Sequence, residues 1–278
     1  MEKICWENSS YQDCNVVIIG IPDESQSHSL REGTSEAPER IRKISNLADS
    51  YIRDGKKSLG FPLNGISKKV FDYGDITRKQ IPETFEKIIR DSKIPISIGG
   101  DHSLSATIIK QFSKTSNLSL VYFDAHPDFI TSIKNYYGSV FGDVIEVIDV
   151  KTSIQIGIRT PEKEEMDNLK KFQIVVISPF DIAEKGIAVI SEQIMNTLGD
   201  NVYVSFDMDC IDPSHAPGVS VPVPFGISSV DAILLLKKIA NRGIVGMDIV
   251  EVCPAYDVKD RTSHLASRMI GEVLSSLK

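Results

Sequence analysis

Short apolar runs that alternate with amphipathic segments constrain the fold of this chain more than any other feature. Seven runs rich in β-branched residues are typical of strands buried on both faces of a parallel sheet; they span 15–19, 94–98, 118–123, 154–158, 174–177, 202–206 and 244–250. Six segments with helical spacing of apolar residues separate most of them, at 82–90, 103–112, 161–170, 191–198, 228–240 and 262–277. This alternation predicts an α/β fold in three layers, α-β-α, around a mostly parallel central sheet.

The composition is typical of a globular protein and argues against a polyanionic partner. The chain has 278 residues, 41% of them hydrophobic, and we expect a single domain over 1–278. Its net charge of -7 disfavours a nucleic-acid or anionic-membrane partner. Because the first residues have no apolar signal sequence and no long apolar run follows, we expect a cytoplasmic protein.

Acidic residues and histidines follow three of the predicted strands. The motifs are Gly-Gly-Asp-His-Ser at 99–103, Asp-Ala-His-Pro-Asp at 124–128 and Ser-Phe-Asp-Met-Asp at 205–209. Residues two positions apart project to the same side of an extended backbone, and ligands of open parallel sheets bind at the carboxyl ends of the strands. A single acid there more often begins a loop or caps a helix. Three such clusters in one chain instead predict a metal site.

The charge of these clusters predicts two metal ions. The candidate ligands are His102, Asp124, His126, Asp128, Asp207 and Asp209. If both imidazoles are neutral, the four carboxylates carry four negative charges, which two divalent cations would cancel. Ligands that are mostly carboxylate, with some imidazole and no thiolate, favour manganese over zinc or copper. We therefore expect two Mn(II) ions per chain.

Longer motifs resemble a known family. The segments at 99–103, 124–128, 205–218 and 248–254 are similar to those of the ureohydrolases: arginase, agmatinase and formimidoylglutamase. The resemblance covers nearly the whole chain. It implies an arginase-like fold, a binuclear manganese centre, hydrolysis of a carbon–nitrogen bond in a small amidine or guanidine substrate, and a homo-oligomer, either a trimer or a hexamer.

The resemblance also implies roles for individual residues. One manganese would be held by His102, Asp124, Asp128 and Asp207, and the other by Asp124, His126, Asp207 and Asp209, so that Asp124 and Asp207 bridge. Asp128 would pass a proton to the leaving amine, and Glu251 would pair with the cationic amidine. Asp101 is expected either to orient an imidazole or to cap the helix that starts at Ser103.

The sequence indicates the identity of the substrate less clearly than it indicates the metal centre. Tyr137-Gly138-Ser139 stands where arginases and agmatinases usually have His-Gly, and the turn at 218–222 is also closer to formimidoylglutamases. Lys134, in a loop without acids, suits an anionic glutamate group, so we slightly favour formimidoylglutamate and expect Tyr137 and Lys134 to contact it. Agmatine is the alternative. Two further alternatives are an inactive metal-binding relative and a single-zinc deacetylase of related architecture.

Overall fold

The computed structural model describes residues 2–112 and 117–278, and in them eight parallel strands form one sheet. The strands in chain order are β1 (Val16–Gly20), β2 (Ser50–Arg53), β3 (Lys56–Leu59), β4 (Val70–Asp75), β5 (Ile94–Ile98), β6 (Leu118–Phe123), β7 (Ile154–Ile156), β8 (Val175–Ile177), β9 (Asn201–Asp207) and β10 (Gly246–Val250). The sheet order is β4-β1-β5-β10-β9-β6-β7-β8, while β2 and β3 pair as a separate antiparallel hairpin.

Nine α-helices of the described residues accompany the sheet. They are α1 (Ala37–Ser45), α2 (Ile81–Arg90), α3 (Ser103–Ile109), α4 (Val140–Val144), α5 (Lys163–Phe172), α6 (Pro179–Lys185), α7 (Ile187–Thr197), α8 (Ser229–Arg242) and α9 (Arg261–Leu274). Local chemistry fixes their ends: the Ser228 hydroxyl accepts a hydrogen bond from the Asp231 backbone N–H and so starts α8. None of these helices is long and apolar enough to cross a membrane.

Strand β1 contributes side chains to two separate cores, one on each face of the sheet. In β1, Val16 and Ile18 pack into the core that contains α1, α7, α8 and α9, whereas Val17 and Ile19 pack into the core that contains α2, α3 and α4. Because alternate residues of a strand face opposite ways, this division means that helices cover both faces of the sheet. The predicted three-layer α/β fold is confirmed. The predicted single domain also includes residue 1 and residues 113–116, which lie outside the described residues.

All seven predicted strands lie in the sheet, with small differences in length. The run at 154–158 forms a strand only to Ile156, because Gly157 takes a positive φ of 99° that turns the chain away. The helix predicted at 191–198 starts earlier, at Ile187. The edge strand β4, the hairpin and helices α1, α4 and α6 are not among the predicted elements.

Candidate metal centre

Four neighbouring strands at the middle of the sheet bring the sequence motifs together. In sheet order these are β5, β10, β9 and β6. His102 follows β5, Glu251 follows β10, Asp207 ends β9, and Asp124 follows β6. Because the strands are parallel, their carboxyl ends meet at one edge, where open α/β sheets bind ligands.

The first group of side chains surrounds His102. Its Nδ1 lies 3.0 Å from Asp124 Oδ2, 3.1 Å from Asp207 Oδ2 and 3.2 Å from Asp128 Oδ2. One ring nitrogen carries at most one hydrogen, so it cannot donate to three carboxylates at once. Asp124 Oδ2 is buried, and although it lies 3.0 Å from Nδ1 it has no hydrogen-bond partner in the part of the chain that the structure describes. Such convergence of buried acceptors is what a cation needs.

The second group surrounds His126. Its Nδ1 lies 3.1 Å from Asp209 Oδ2 and 3.3 Å from Asp124 Oδ1. Asp124 therefore presents one oxygen to each group, which is the placement expected of a bridging carboxylate. Asp207 contacts the first group through Oδ2, while its Oδ1 accepts a hydrogen bond from the Asp209 backbone N–H at 2.7 Å. All six predicted ligands thus lie in one cluster, and their donor set fits a pair of hard divalent cations.

Mutual electrostatics dominate the ionisation of this cluster. Burial disfavours a charged imidazole at His126, but the carboxylates of Asp209 and Asp124 outweigh burial and raise the pKa to about 12. Burial and the neighbouring Asp124 carboxylate raise the pKa of Asp128 to about 7. When all four carboxylates are ionised, two imidazolium charges cannot neutralise them, so the ionised cluster attracts cations.

A hydrogen-bonded chain behind His102 fixes its ring. His102 Nε2 lies 2.9 Å from Ser205 Oγ, which donates to Asp248 Oδ1 at 2.9 Å, and the Tyr203 hydroxyl donates to Asp248 Oδ2 at 2.8 Å. With Nε2 as the donor, the lone pair of Nδ1 points into the cluster. Ser205 was not singled out from the sequence, although it precedes Asp207 by two residues and therefore shares its side of β9.

Among the described residues, Asp101 pairs with Ser103 and Arg78 and not with an imidazole. Its Oδ1 accepts a hydrogen bond from the Ser103 backbone N–H at 2.9 Å, at the start of α3, and Arg78 lies 3.5 Å from its Oδ2. Of the two expected roles, the structure therefore shows the helix cap, and the role of orienting the imidazole falls to Ser205.

Glu251 is buried beside the cluster in a strained conformation. Its φ of 64° is rare outside glycine. Its Oε1 accepts from the His102 backbone N–H at 2.7 Å, and its Oε2 accepts from the Ser220 hydroxyl. Burial raises the pKa of Glu251 to about 8, and the charge of Asp101 acts in the same direction. A bound cation would favour the ionised form of this carboxylate.

A cavity of about 220 Å³ opens onto the cluster. Its walls include His126 and Asp128 of the cluster together with Tyr136, Tyr137 and Glu162. Tyr137 therefore lines the cavity next to the cluster, and its expected contact with substrate stays a prediction.

Lys134 is not among the described lining residues of this cavity. Its half-exposed side chain lies with Nζ 3.5 Å from Asp143 Oδ1 and donates to the Gly142 carbonyl oxygen at 3.2 Å. The ammonium group therefore points toward α4, which follows the loop. No periodic pattern in the sequence predicts this direction. The structure thus gives no support to the expected contact between Lys134 and substrate.

Comparisons with known proteins agree with this geometry. A model of the arginase family matches residues 14–275. An agmatinase of Neisseria meningitidis serogroup A is 34% identical over 273 residues, which cover 93% of this chain and 85% of that protein. The structure of an agmatine ureohydrolase of Thermoplasma volcanium superposes with a TM-score of 0.84 at 30% identity, covering 99% of this chain and 94% of the other.

A formimidoylglutamase of Bacillus subtilis also has this fold. Its structure superposes with a TM-score of 0.85 at 27% identity, covering 96% of this chain and 88% of that protein. The family model spans most of the sequence, and the agmatinases match along nearly all of it. The chain therefore belongs to the arginase family, whose members hydrolyse amidino and guanidino groups.

Proposed function

We propose that this protein binds two Mn(II) ions through His102, Asp124, His126, Asp128, Asp207 and Asp209 and hydrolyses agmatine to urea and putrescine. The convergence of these six side chains supports the metal pair, with Asp124 presenting an oxygen to each group. Dependence on a binuclear metal centre is a property of the family. When bound, the two ions would supply the Lewis acidity that makes water reactive near neutral pH.

The side chains of this chain would then bind the substrate and move its protons. Glu251 would pair with the planar guanidinium and hold its carbon next to the ligand cluster. Water adds to that carbon, the bond from carbon to the substituted nitrogen breaks, and the leaving amine takes up a proton. Asp128 lines the cavity and belongs to the first ligand group, so it is the residue we assign to carry that proton.

The residues that line the cavity favour one candidate substrate over the other. The wall presents the carboxylates of Glu162 and Glu165 and the rings of Tyr136 and Tyr137, while its described lining residues include no lysine or arginine. Acidic and aromatic groups favour a cationic tail, through charge attraction and cation–π contact, and disfavour the two carboxylates of formimidoylglutamate. This single observation leads us to place agmatine first.

Formimidoylglutamate remains the second candidate, because one cation lies against the turn beside Glu251. Arg31 Nη1 donates to the Val219 carbonyl oxygen at 3.2 Å, and Ser220 of the same turn donates to Glu251. This turn, at 218–222, begins with Gly-Val-Ser and is the one whose sequence is closer to formimidoylglutamases. If Arg31 bound a substrate carboxylate, the anionic substrate would be preferred.

A substrate panel with added manganese tests the proposal. We expect urea and putrescine from agmatine, with a kcat/KM at least 10-fold above that for release of formamide from formimidoylglutamate. The reverse order would overturn the choice of substrate. Turnover of neither compound, with two manganese ions bound, would support the inactive metal-binding relative.

Charge-neutralising variants locate the binding of the substrate tail. Glu162→Gln should raise the KM for agmatine several-fold and leave kcat nearly unchanged, since it removes an attraction that does not change during reaction. Lys134→Gln should change neither constant, because its ammonium is paired with Asp143. Glu192→Gln, at an exposed position of α7, is the matched control. A KM that responds to Lys134→Gln and not to Glu162→Gln would contradict this assignment.

A further inference from the structure

Tyr122 is a buried residue of β6 whose hydroxyl lies among the proposed metal ligands. The hydroxyl oxygen is 2.6 Å from Asp128 Oδ2 and 3.2 Å from His102 Nδ1. Tyr122 precedes Asp124 by two residues, so the alternation of β6 directs its side chain toward the cluster. The roles assigned so far leave this phenol without a function.

The ring of Tyr122 is held from two sides. It stacks on the imidazole of His102, with centroids 4.8 Å apart and planes at 6°, and it meets Phe141 edge-on at 5.6 Å. A phenylalanine would make the same ring contacts. Burying a hydroxyl as well is unfavourable unless it forms a hydrogen bond. Packing therefore accounts for the ring at this position and not for the oxygen.

The Tyr122 hydroxyl donates its hydrogen to Asp128. A phenol next to a carboxylate donates its hydrogen, so the bond runs from Tyr122 to Oδ2 of Asp128. The backbone of Asp128 is fixed independently: its φ is 46°, and its carbonyl oxygen accepts from the Phe141 N–H at 3.0 Å. The remaining freedom of Asp128 is rotation of its carboxylate, and the Tyr122 hydroxyl restrains that rotation.

We propose that Tyr122 is a positioning residue of the metal centre, which fixes the carboxylate of Asp128 for cation binding and proton transfer by donating to its Oδ2. This inference rests on the proposed function to the extent that Asp128 has those two roles. It adds Tyr122 of β6 to the residues of the centre. In this role Tyr122 acts on the Asp128 carboxylate and does not contact the substrate.

The experiment compares Tyr122→Phe with the wild type and with Tyr11→Phe. Tyr11 is a matched control, since its hydroxyl donates to Asp91 Oδ2 at 2.8 Å on the exposed side of the molecule. We expect Tyr122→Phe to lower kcat about 10- to 100-fold, the range seen when partners of metal ligands are removed. KM should stay within about 2-fold, and the EPR spectrum of the Mn(II)-loaded protein should change. Tyr11→Phe should alter neither.

Two results would overturn the inference. One is a Tyr122→Phe protein with wild-type kcat and an unchanged Mn(II) spectrum. The other is a loss of activity that accompanies a lower unfolding temperature while the spectrum is unchanged, which would make Tyr122 a packing residue only.

A double-mutant cycle tests the route through Asp128. Manganese affinity is measured for Tyr122→Phe, Asp128→Asn and the double variant. If Tyr122 acts through Asp128, its removal should have little further effect once Asp128 is changed; additive losses would contradict this route.

Failure of the proposed function gives a different pattern. In that case the wild type would bind two manganese ions and hydrolyse neither substrate, while the EPR and affinity comparisons would still decide the role of Tyr122. If the wild type is active and Tyr122→Phe matches it in all measurements, only the present inference fails.

Discussion

Single residues of this centre serve two demands at once. Asp124 divides its two oxygens between the two imidazole groups, and His102 uses one ring nitrogen in the cluster and the other to hold Ser205. Asp128 and Glu251 both have positive φ values although neither is glycine. Such strain persists only where surrounding contacts enforce it, and it concentrates at functional sites.

Replacing Ser205 tests whether its hydroxyl fixes the orientation of the His102 ring. Ser205→Ala removes the hydroxyl between His102 Nε2 and Asp248, so the ring loses its orientation and a buried carboxylate loses a donor. We expect manganese affinity to fall about 10- to 100-fold, measured by calorimetry. Ser191→Ala is the control, since Ser191 Oγ is a buried hydroxyl that has no hydrogen-bond partner among the described residues. Equal affinity in both variants would contradict the positioning role of Ser205.

The residues of the site differ in how far sequence predicts them. The six candidate ligands come together because strand alternation and the carboxyl ends of parallel strands determine their placement. Lys134 lies in a loop, where no periodicity determines the direction of a side chain, and its expected role finds no support. Ser220 contacts Glu251 through tertiary packing, which only the structure shows. Tyr122 shares the side of β6 with Asp124, so strand alternation could have indicated it, although its bond to Asp128 is seen only in the structure.

At the scale of elements, the geometry of the candidate metal centre depends more on the ends of the strands than on their interiors. Gly157 ends β7 with a φ of 99°, and a Cβ there would lie 2.8 Å from the Asp124 carbonyl oxygen and 3.1 Å from Cys210 Cβ. This turn therefore lies directly against the backbone of a proposed bridging ligand. The close approach requires glycine for space as well as for conformation.

Two glycine variants separate these requirements. Gly157→Ala and Gly243→Ala both place a side chain at a strained positive φ, which costs about 1–3 kcal/mol. A Cβ at Gly243 would have no atom of residues 2–112 or 117–278 within 4 Å, so that variant reports the strain alone. We expect Gly157→Ala to lose more free energy of unfolding in urea and also to bind manganese more weakly. Equal losses in the two variants would show that the contact with Asp124 is unimportant.

Hydrophobic runs predict the buried strands and fail for two other elements. Strand β4 buries Asp72, which pairs with the buried Arg42 at 2.9 Å, so an ion pair replaces the apolar pattern there. The hairpin of β2 and β3 is mostly exposed and has no apolar run. Its Asp54-Gly55 turn, with both φ values positive, is nevertheless a hairpin signal readable from sequence.

At the scale of the whole molecule, the sheet concentrates negative charge at one point. Four central strands carry the ligand motifs and Glu251 to one edge, and helices on both faces exclude water from the groups behind them. Bringing four carboxylates together opposes folding unless cations or protons compensate them. The proposed cation pair would supply this compensation, and the cavity at the cluster opens beside it.

Manganese stoichiometry tests this central claim most directly. The metal-free protein is saturated with Mn(II) and the bound ions are counted by calorimetry and elemental analysis, for the wild type, Asp124→Ala and Asp91→Asn. Asp91 is a surface carboxylate that pairs with Tyr11 and so controls for loss of charge. The account predicts two ions per chain in the wild type and in Asp91→Asn, and no more than one in Asp124→Ala. A wild-type protein that binds one ion or none at saturation would contradict it.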